Sequence, residues 1–197
     1  MSDKEPSYKV IFVGDTNVGK TCIINRAVLK TYSTDIPPTN ITAYSKLSIN
    51  VNSTQVNLSI HDMAGQETYR TVVPMYFQST NAVVIVYSIE NNSSFDDIDA
   101  WYQLVTDKLD KNETNIYLVA NKADLYNDTN NSKFLTEKAG IDKAKNLGIP
   151  FLSVSAKNDT NIDELFDTIS KECLGMSTHT NAKKCDLTEN NNKKNYC

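Results

Sequence analysis

The residues best suited to chemistry form an eight-residue stretch that starts at Gly14 and reads Gly-Asp-Thr-Asn-Val-Gly-Lys-Thr. Backbone N–H groups of such a loop can surround the phosphates of a nucleotide, and Gly14 and Gly19 allow the close backbone approach. The Lys20 ammonium suits the β- and γ-phosphate oxygens, and the Thr21 hydroxyl suits Mg²⁺. Because an apolar run from Tyr8 to Val13 precedes the loop and a helical pattern follows it, the sequence predicts a strand, a phosphate-binding loop and a helix.

A second stretch, Asn121-Lys122-Ala123-Asp124, follows the apolar run from Ile116 to Ala120 and indicates which base is bound. A carboxylate at Asp124 can accept hydrogen bonds from N1–H and from the 2-amino group of guanine. Adenine has neither donor and would leave this carboxylate unpaired, and sites built on hydrogen bonds reject such analogues strongly. The sequence therefore favours GTP over ATP.

A third motif, Asp62-Met63-Ala64-Gly65-Gln66-Glu67, also lies at the end of a predicted strand, where open α/β sheets bind ligands. With this motif the chain resembles the small monomeric GTPases of the Ras superfamily, and the Rab branch in particular, from about Tyr8 to Leu174. The resemblance implies that Asp62 holds Mg²⁺ through a water, that the Gly65 N–H contacts the γ-phosphate and that Gln66 orients the attacking water. Phosphoryl transfer depends on positioning and charge neutralisation, so one amide side chain is a plausible catalytic apparatus.

The first switch loop of that family carries a threonine, and here Pro38-Thr39 lies nineteen residues past Lys20, where the family places it. Thr42 is the competing candidate. The family usually continues with Ile-Gly, whereas this chain continues with Asn40-Ile41. The first switch loop can therefore differ in conformation from that of the family. Tyr32 falls where the family stacks an aromatic ring on the guanine, and the alternative is an ordinary half-exposed tyrosine.

The predicted site binds GTP or GDP together with Mg²⁺ and uses Gln66 as its catalytic residue. The segment Ser155-Ala156-Lys157 is similar to the one whose backbone N–H meets the guanine oxygen in GTP-binding proteins. The predicted metal ligands are Thr21, Thr39 and Asp62. The residues predicted to contact the nucleotide are Gly14, Asp15, Asn17, Val18, Gly19, Lys20, Thr21, Cys22, Tyr32, Thr39, Gly65, Asn121, Lys122, Asp124, Ser155, Ala156 and Lys157.

The stretch from Thr68 to Phe77 resembles the second switch of endosomal Rabs. Rab proteins commonly contact effectors through an aromatic triad, and its positions here hold Tyr44, His61 and Tyr76. The usual second member is tryptophan, so an imidazole at His61 removes contact area from the expected hot spot. Either the effectors differ from those of a standard endosomal Rab, or His61 is a tolerated substitution at a strand end.

The pattern of apolar runs predicts one α/β domain with the doubly wound, mostly parallel six-stranded sheet of P-loop NTPases, flanked by helices. We expect a flexible N-terminus over 1–7, a GTPase domain over 8–174 and a disordered tail over 175–197. The strands are expected near 8–13, 42–51, 54–61, 83–89, 116–120 and 151–154. The helices are expected near 20–29, 94–110, 136–147 and 161–173, with Ser93 or Ser94 as the cap of the second.

The composition limits the class of partner and the compartment. A formal net charge of −4 and a tail of net +2 leave a mildly acidic body, which argues against nucleic acid. No run resembles a signal peptide or a membrane span, so we expect a cytosolic protein at the cytoplasmic face of endomembranes. Cys197 ends a weakly basic tail and resembles a Rab prenylation site, although the family usually presents two cysteines or a tetrapeptide box. Single geranylgeranylation is the prediction, and an unmodified thiol is the alternative.

The resemblance also implies a mechanism and a set of partners. The γ-phosphate and Mg²⁺ would recruit Thr39 and Gly65 and so order two switch loops that relax after hydrolysis. The expected partners of this monomer are an exchange factor, a GTPase-activating protein, GTP-state effectors and a prenylation or GDI-type chaperone. Another P-loop enzyme, such as a small-molecule kinase, and a GTP-binding scaffold without switching are the alternatives.

Overall fold

The computed structural model describes residues 5–126 and 134–175, which fold around one six-stranded sheet. The strands are β1 (Ser7–Val13), β2 (Thr42–Val51), β3 (Thr54–Met63), β4 (Ala82–Ser88), β5 (Asn115–Asn121) and β6 (Phe151–Ser153). Their order in the sheet is β2-β3-β1-β4-β5-β6, and all neighbours are parallel except β2 and β3. The predicted fold class and all six expected strands are confirmed.

Helices cover both faces of the sheet. They are α1 (Lys20–Leu29), α2 (Asn92–Asp96), α3 (Ile98–Thr106), α4 (Glu137–Leu147) and α5 over 162–175. Strand residues alternate between two apolar clusters, so Val10 and Phe12 of β1 face α1 and α5, whereas Ile11 and Val13 face α3 and α4. No helix in the described ranges is both long enough and apolar enough to cross a membrane.

The antiparallel pair of β2 and β3 is a hairpin with a two-residue turn. Asn52 and Ser53 form this turn with φ of 47° and 67°, and the positive values at both central residues match the turn type that suits strand twist. Val51 pairs with Thr54 on either side of the turn. This register sends the end of β3 back toward the phosphate loop, beside β1.

The expected helix over 94–110 is wrong in its bounds. The structure divides it at Asp97, whose ψ of −6° departs from helical geometry, and α3 ends at Thr106. The cap is also not a serine, because the side chain of Asn91 accepts the hydrogen bond from the Ser94 N–H at 3.3 Å. Ser94 is buried instead, and its hydroxyl donates to the Asn91 carbonyl at 2.7 Å.

Candidate functional site

The loop between β1 and α1 can exist only with glycine at two positions. A Cβ at Gly14 would lie 2.1 Å from the Val86 carbonyl oxygen, and a Cβ at Gly19 would lie 2.3 Å from the Asn121 side chain. Both glycines also have positive φ, of 133° and 93°. The loop is therefore pressed against the ends of β4 and β5, with its backbone free of side chains at these two points.

Lys20 is buried at the start of α1 and folds back over the loop. Its Nζ donates to the carbonyl oxygens of Gly14 and Asp15, each at 2.7 Å. Burial lowers the pKa of Lys20 to about 8, against the opposing influence of the Asp62 and Asp15 carboxylates. A buried ammonium that only carbonyl dipoles satisfy is suited to receive an anion such as a phosphate.

Three oxygen-bearing side chains from separate segments converge beside Lys20. The Thr21 hydroxyl donates to Asp62 Oδ2 at 2.5 Å, and the Thr39 hydroxyl lies 3.2 Å from that of Thr21 and 3.1 Å from the same carboxylate oxygen. Burial raises the pKa of Asp62, although the Thr21 hydrogen bond and Lys20 oppose this effect. Asp62 Oδ1 is also buried without a hydrogen-bond partner among the described residues. Hydroxyl and carboxylate oxygens in this arrangement fit Mg²⁺.

The two candidates for the switch threonine lie in different places. Thr39 belongs to the oxygen cluster, whereas Thr42 starts β2 and pairs with Met63 across the hairpin. The Thr42 hydroxyl is buried and has no partner in the part of the chain that the structure describes. The geometry therefore favours Thr39, despite the Asn40-Ile41 segment that follows it.

The predicted guanine motifs are tied to one another and to the phosphate loop by side-chain hydrogen bonds. Asn121 Nδ2 donates to the Val18 carbonyl at 2.8 Å, and Asn121 Oδ1 accepts from the Ala156 N–H at 3.3 Å. The Ser155 hydroxyl donates to Asp124 Oδ1 at 2.6 Å, and Asp124 is only 10% exposed. These contacts fix a largely buried carboxylate that lines the cavity, where it can accept two donors from a base.

Arg26 is a site residue that sequence reasoning missed. From the last turn of α1 its Nε donates to the Ala156 carbonyl at 2.8 Å, and its Nη2 donates to the Lys157 carbonyl at 3.1 Å. Its guanidinium carbon lies 5.8 Å from the centre of the Tyr32 ring. Arg26 therefore links helix α1, the Ser155-Ala156-Lys157 loop and the predicted stacking ring, and sequence spacing carries no signal for contacts this distant along the chain.

A cavity of about 440 Å³ runs between these groups. Fourteen of the residues predicted for the site line this cavity. They are Asn17, Gly19, Lys20, Thr21, Cys22, Tyr32, Thr39, Gly65, Gln66, Asn121, Lys122, Asp124, Ala156 and Lys157. Of the other predicted contacts, Val18 and Ser155 support the wall through Asn121 and Asp124. The cavity volume suits a nucleotide-sized ligand.

Gly65 brings the second switch against the phosphate loop. A Cβ at this position would lie 2.3 Å from the backbone carbon of Asp15, so a side chain could not fit. The next residue, Gln66, is exposed and faces the cavity. Gln66 thus lines the cavity directly after the glycine that packs against the phosphate loop.

The carboxylate of Asp15 is engaged by side chains of the second switch and of α3. Asp15 Oδ1 accepts from Arg70 Nη2 and from Trp101 Nε1, each at 2.8 Å. The same Arg70 nitrogen pairs with Asp97, and the Arg70 guanidinium carbon lies 4.7 Å from the centre of the Trp101 ring. We call these four residues the Arg70 cluster. Only the backbone of Asp15 remains available to a phosphate.

Two of the three predicted effector residues are neighbours in the sheet. Tyr44 and His61 are opposite each other in the β2–β3 pair, with ring centres 5.4 Å apart, and Tyr44 is 60% exposed. Burial and nearby Lys9 lower the pKa of His61. Tyr76 packs instead against the apolar cluster under α3. Cys197, the predicted lipidation site, lies outside the described residues.

Comparison with known proteins agrees with this geometry. The Ras family model matches residues 9–175. The Ras-related protein SEC4 of Saccharomyces cerevisiae is 32% identical over 163 residues, which cover 83% of this chain and 73% of SEC4. Ras-family proteins generally bind GTP or GDP with Mg²⁺. The predicted family and GTPase activity are confirmed, and the chain belongs to the Ras family as a Rab-type small GTPase.

Proposed function

We propose that this GTPase is a nucleotide-controlled switch in vesicular membrane traffic, with Mg²⁺ bound by Thr21 and Thr39 and held by Asp62 through a water. The main support is the convergence of these three side chains from α1, the first switch and the end of β3. When bound, Mg²⁺ would neutralise phosphate charge. Thr39 lies on a loop rather than on the sheet, so its contact couples the loop to what occupies the cavity.

Other residues of the cavity would bind the phosphates, orient the attacking water and recognise the base. Lys20 offers its buried ammonium to the β- and γ-phosphate oxygens, and the Gly65 N–H donates to the γ-phosphate. Gln66 orients the attacking water with its side-chain amide. Asp124 accepts the two donors of guanine. Tyr32 supplies an aromatic face for the base, and the Arg26 guanidinium carbon lies 5.8 Å from the centre of this ring.

Hydrolysis without a partner should be slow, because the chain has no arginine available to the transferred phosphate. Its sequence contains arginine only at 26 and 70. Arg26 is engaged by backbone carbonyls, and Arg70 by Asp15 and Asp97. An activating protein that adds charge stabilisation would contribute about 10³ to 10⁵ in rate, or roughly 4 to 7 kcal/mol of barrier.

The further partners follow from the switch. An exchange factor would load GTP, effectors would bind the ordered switch loops around Tyr44 and His61, and a GDI-type chaperone would carry the lipidated chain. We propose one prenyl group on Cys197, which gives marginal and reversible membrane binding. The site of action would be the cytoplasmic face of vesicular, endosomal membranes. The GTPase domain would span 8–174 and the tail 175–197.

Nucleotide binding tests this proposal directly. The protein would be stripped of ligand and titrated by calorimetry with GDP, GTP and ATP, each with Mg²⁺ and with EDTA. We expect tight binding of GDP and GTP that weakens in EDTA, and no measurable heat with ATP. Preference for ATP would indicate a kinase-like enzyme, and tight GTP binding without hydrolysis over hours would indicate a scaffold; either result contradicts the switch.

A matched pair of variants separates the base site from the fold. Asp124→Asn should lose guanine binding, because the amide presents a donor to the N1–H of guanine. Asp163→Asn lies outside the cavity, on the exposed Lys30 pair, and should bind GDP like the parent. Equal GDP affinity in both variants would remove Asp124 from the base site.

A further inference from the structure

One acidic side chain in the cavity has no role in the proposed function. Among the described residues that line the cavity, the acids are Asp124 and Glu90. Asp124 is accounted for by the donors of guanine. Glu90 places a second carboxylate in a site for an anionic ligand. Its negative charge would repel such a ligand unless a nearby positive charge compensates it.

The positive charge that compensates Glu90 is the ammonium of Lys122. Glu90 Oε1 forms a salt bridge with Lys122 Nζ, and the two side chains are 40% and 30% exposed. Lys122 follows Asn121, which contacts both the phosphate loop and the Ala156 N–H, and it precedes Asp124 by two residues; all three line the cavity. The direction of the Lys122 side chain therefore defines part of the wall beside the base.

The backbone brings Glu90 and Lys122 together with little freedom. They follow the neighbouring parallel strands β4 and β5, in which Ser88 is paired with Asn121. The Ile89 N–H then donates to the Asn121 carbonyl at 3.2 Å, which ties the residue before Glu90 to the residue before Lys122. The two charged side chains therefore start from neighbouring backbone positions, just after the paired ends of β4 and β5.

Lys122 itself has an uncommon backbone conformation. Its φ of 66° and ψ of 33° lie in the left-handed region, at the start of the 3-10 turn Ala123–Leu125. Lysine also has several rotatable bonds and loses much rotamer freedom when it is fixed. A partner for its ammonium reduces that freedom before the nucleotide arrives, which is the principle of preorganisation.

We propose that Glu90 is a positioning residue that acts through Lys122: its carboxylate holds the ammonium so that the lysine stem forms a fixed wall of the nucleoside end of the cavity and slows nucleotide release. This inference rests on the proposed guanine-nucleotide site. It assigns to Glu90 no contact with the nucleotide. The effect should be modest, because the pair is partly exposed.

The test measures the release of a fluorescent GDP analogue from the full chain in Mg²⁺ buffer. Glu90→Gln removes the charge and keeps the shape, and it should speed release by about 2- to 5-fold, the range of an exposed ion pair. Asp99→Asn is the matched control, since it breaks the 2.7 Å pair with Lys143 on the surface of α3 and α4. It should release GDP at the parent rate.

Two further measurements show whether the effect passes through Lys122. In a Lys122→Met background, Glu90→Gln should change release by less than 1.5-fold, since the partner is gone. Raising KCl from 50 to 500 mM should speed release more in the parent than in Glu90→Gln, because salt screens the pair. This salt comparison also serves if Lys122→Met does not bind nucleotide.

Unchanged release in Glu90→Gln would overturn the proposal. Slower release would overturn it as well, because it would show that the carboxylate only repels the anionic ligand. A full effect in the Lys122→Met background would overturn the route through Lys122. If the parent fails to retain the GDP analogue at all, the proposed nucleotide site fails, which is distinguishable from a failure of Glu90 alone.

Discussion

Replacement of Arg70 by alanine tests the link between the second switch and the phosphate loop. The change removes the 2.8 Å pair with Asp15, the pair with Asp97 and the contact with the Trp101 ring at 4.7 Å. The Trp101 hydrogen bond to Asp15 remains. We expect lower stability and a looser second switch, because Arg70 lies only four residues past Gln66.

The size of the effect follows from burial. The side chains are 24% exposed for Arg70, 16% for Asp15 and 33% for Asp97, so solvent screens the charges only in part. Hydrogen bonds to charged groups contribute about 1.5–3 kcal/mol, and a cation–π contact about 0.5–1 kcal/mol. Discounted for exposure, the loss should be about 2 kcal/mol, or roughly 4–8 °C in Tm for a domain of this size.

The assay is urea unfolding of the GDP-loaded protein, followed by tryptophan fluorescence and by circular dichroism. Lys143→Ala is the matched control, because it also removes an ion pair, with Asp99, and a ring contact, with Phe95 at 5.9 Å. Asp99 is 66% exposed, so this change should cost less than about 1 kcal/mol. Equal losses in the two variants, or no loss in Arg70→Ala, would refute the argument that the Arg70 cluster is a structural link.

Four further predictions concern single positions. Gln66→Leu should lower the GTP hydrolysis rate with an activating protein by about 100-fold or more, since the attacking water loses its orienting amide; phosphate release measures it. Arg26→Ala should speed release of fluorescent GDP several-fold, because the loop that carries Ala156 loses two hydrogen bonds. Gly140→Ala should destabilise by about 1–3 kcal/mol in urea, because a Cβ would lie 2.3 Å from the Tyr87 hydroxyl and this clash outweighs a helix-propensity gain of about 1 kcal/mol. Burial raises the pKa of Cys173 from 9.0 to about 12, so the unfolded thiol ionises first and stability falls as pH rises from about 9 to 12.

Controls make these four predictions specific. Gln66→Leu should bind GTP like the parent, and equal hydrolysis in the two would contradict the role of the amide. Arg26→Ala with unchanged GDP release would remove the loop contact from the site. Gly148→Ala meets nothing within 4 Å and is strained only by its φ of 68°, so a larger loss there than at Gly140 would contradict the clash. Cys173→Ala should lose about 1.4 kcal/mol less than the parent between pH 8 and pH 10.

Much of the fold and of the site was predictable because the informative patterns are local. Each motif directly follows an apolar run, and the end of a parallel strand fixes where its next residues lie. Gly14 and Asp124 are recognisable from type and spacing alone. The helix after β4 was misjudged at its cap because Asn91 and Ser94 both favour capping, and only the buried position of Ser94 decides between them.

The parts that were missed depend on distant contacts. Arg70 meets Asp15 across 55 positions and Arg26 meets Ala156 across 130, so no periodicity could pair them. The choice of Thr39 over Thr42 is different, because spacing and the preceding proline already favoured Thr39. The path of β2 supplies the physical reason, since it places Thr42 in the hairpin and leaves Thr39 on the loop beside the oxygen cluster.

Asn121 connects the two ends of the cavity through one amide group. Because it holds both the Val18 carbonyl and the Ala156 N–H, movement of the loop around the base is transmitted to the loop around the phosphates. A protein that displaces either loop should therefore weaken contacts at both the base and the phosphates. An exchange factor could thus speed nucleotide release by displacing either the loop around the base or the loop around the phosphates.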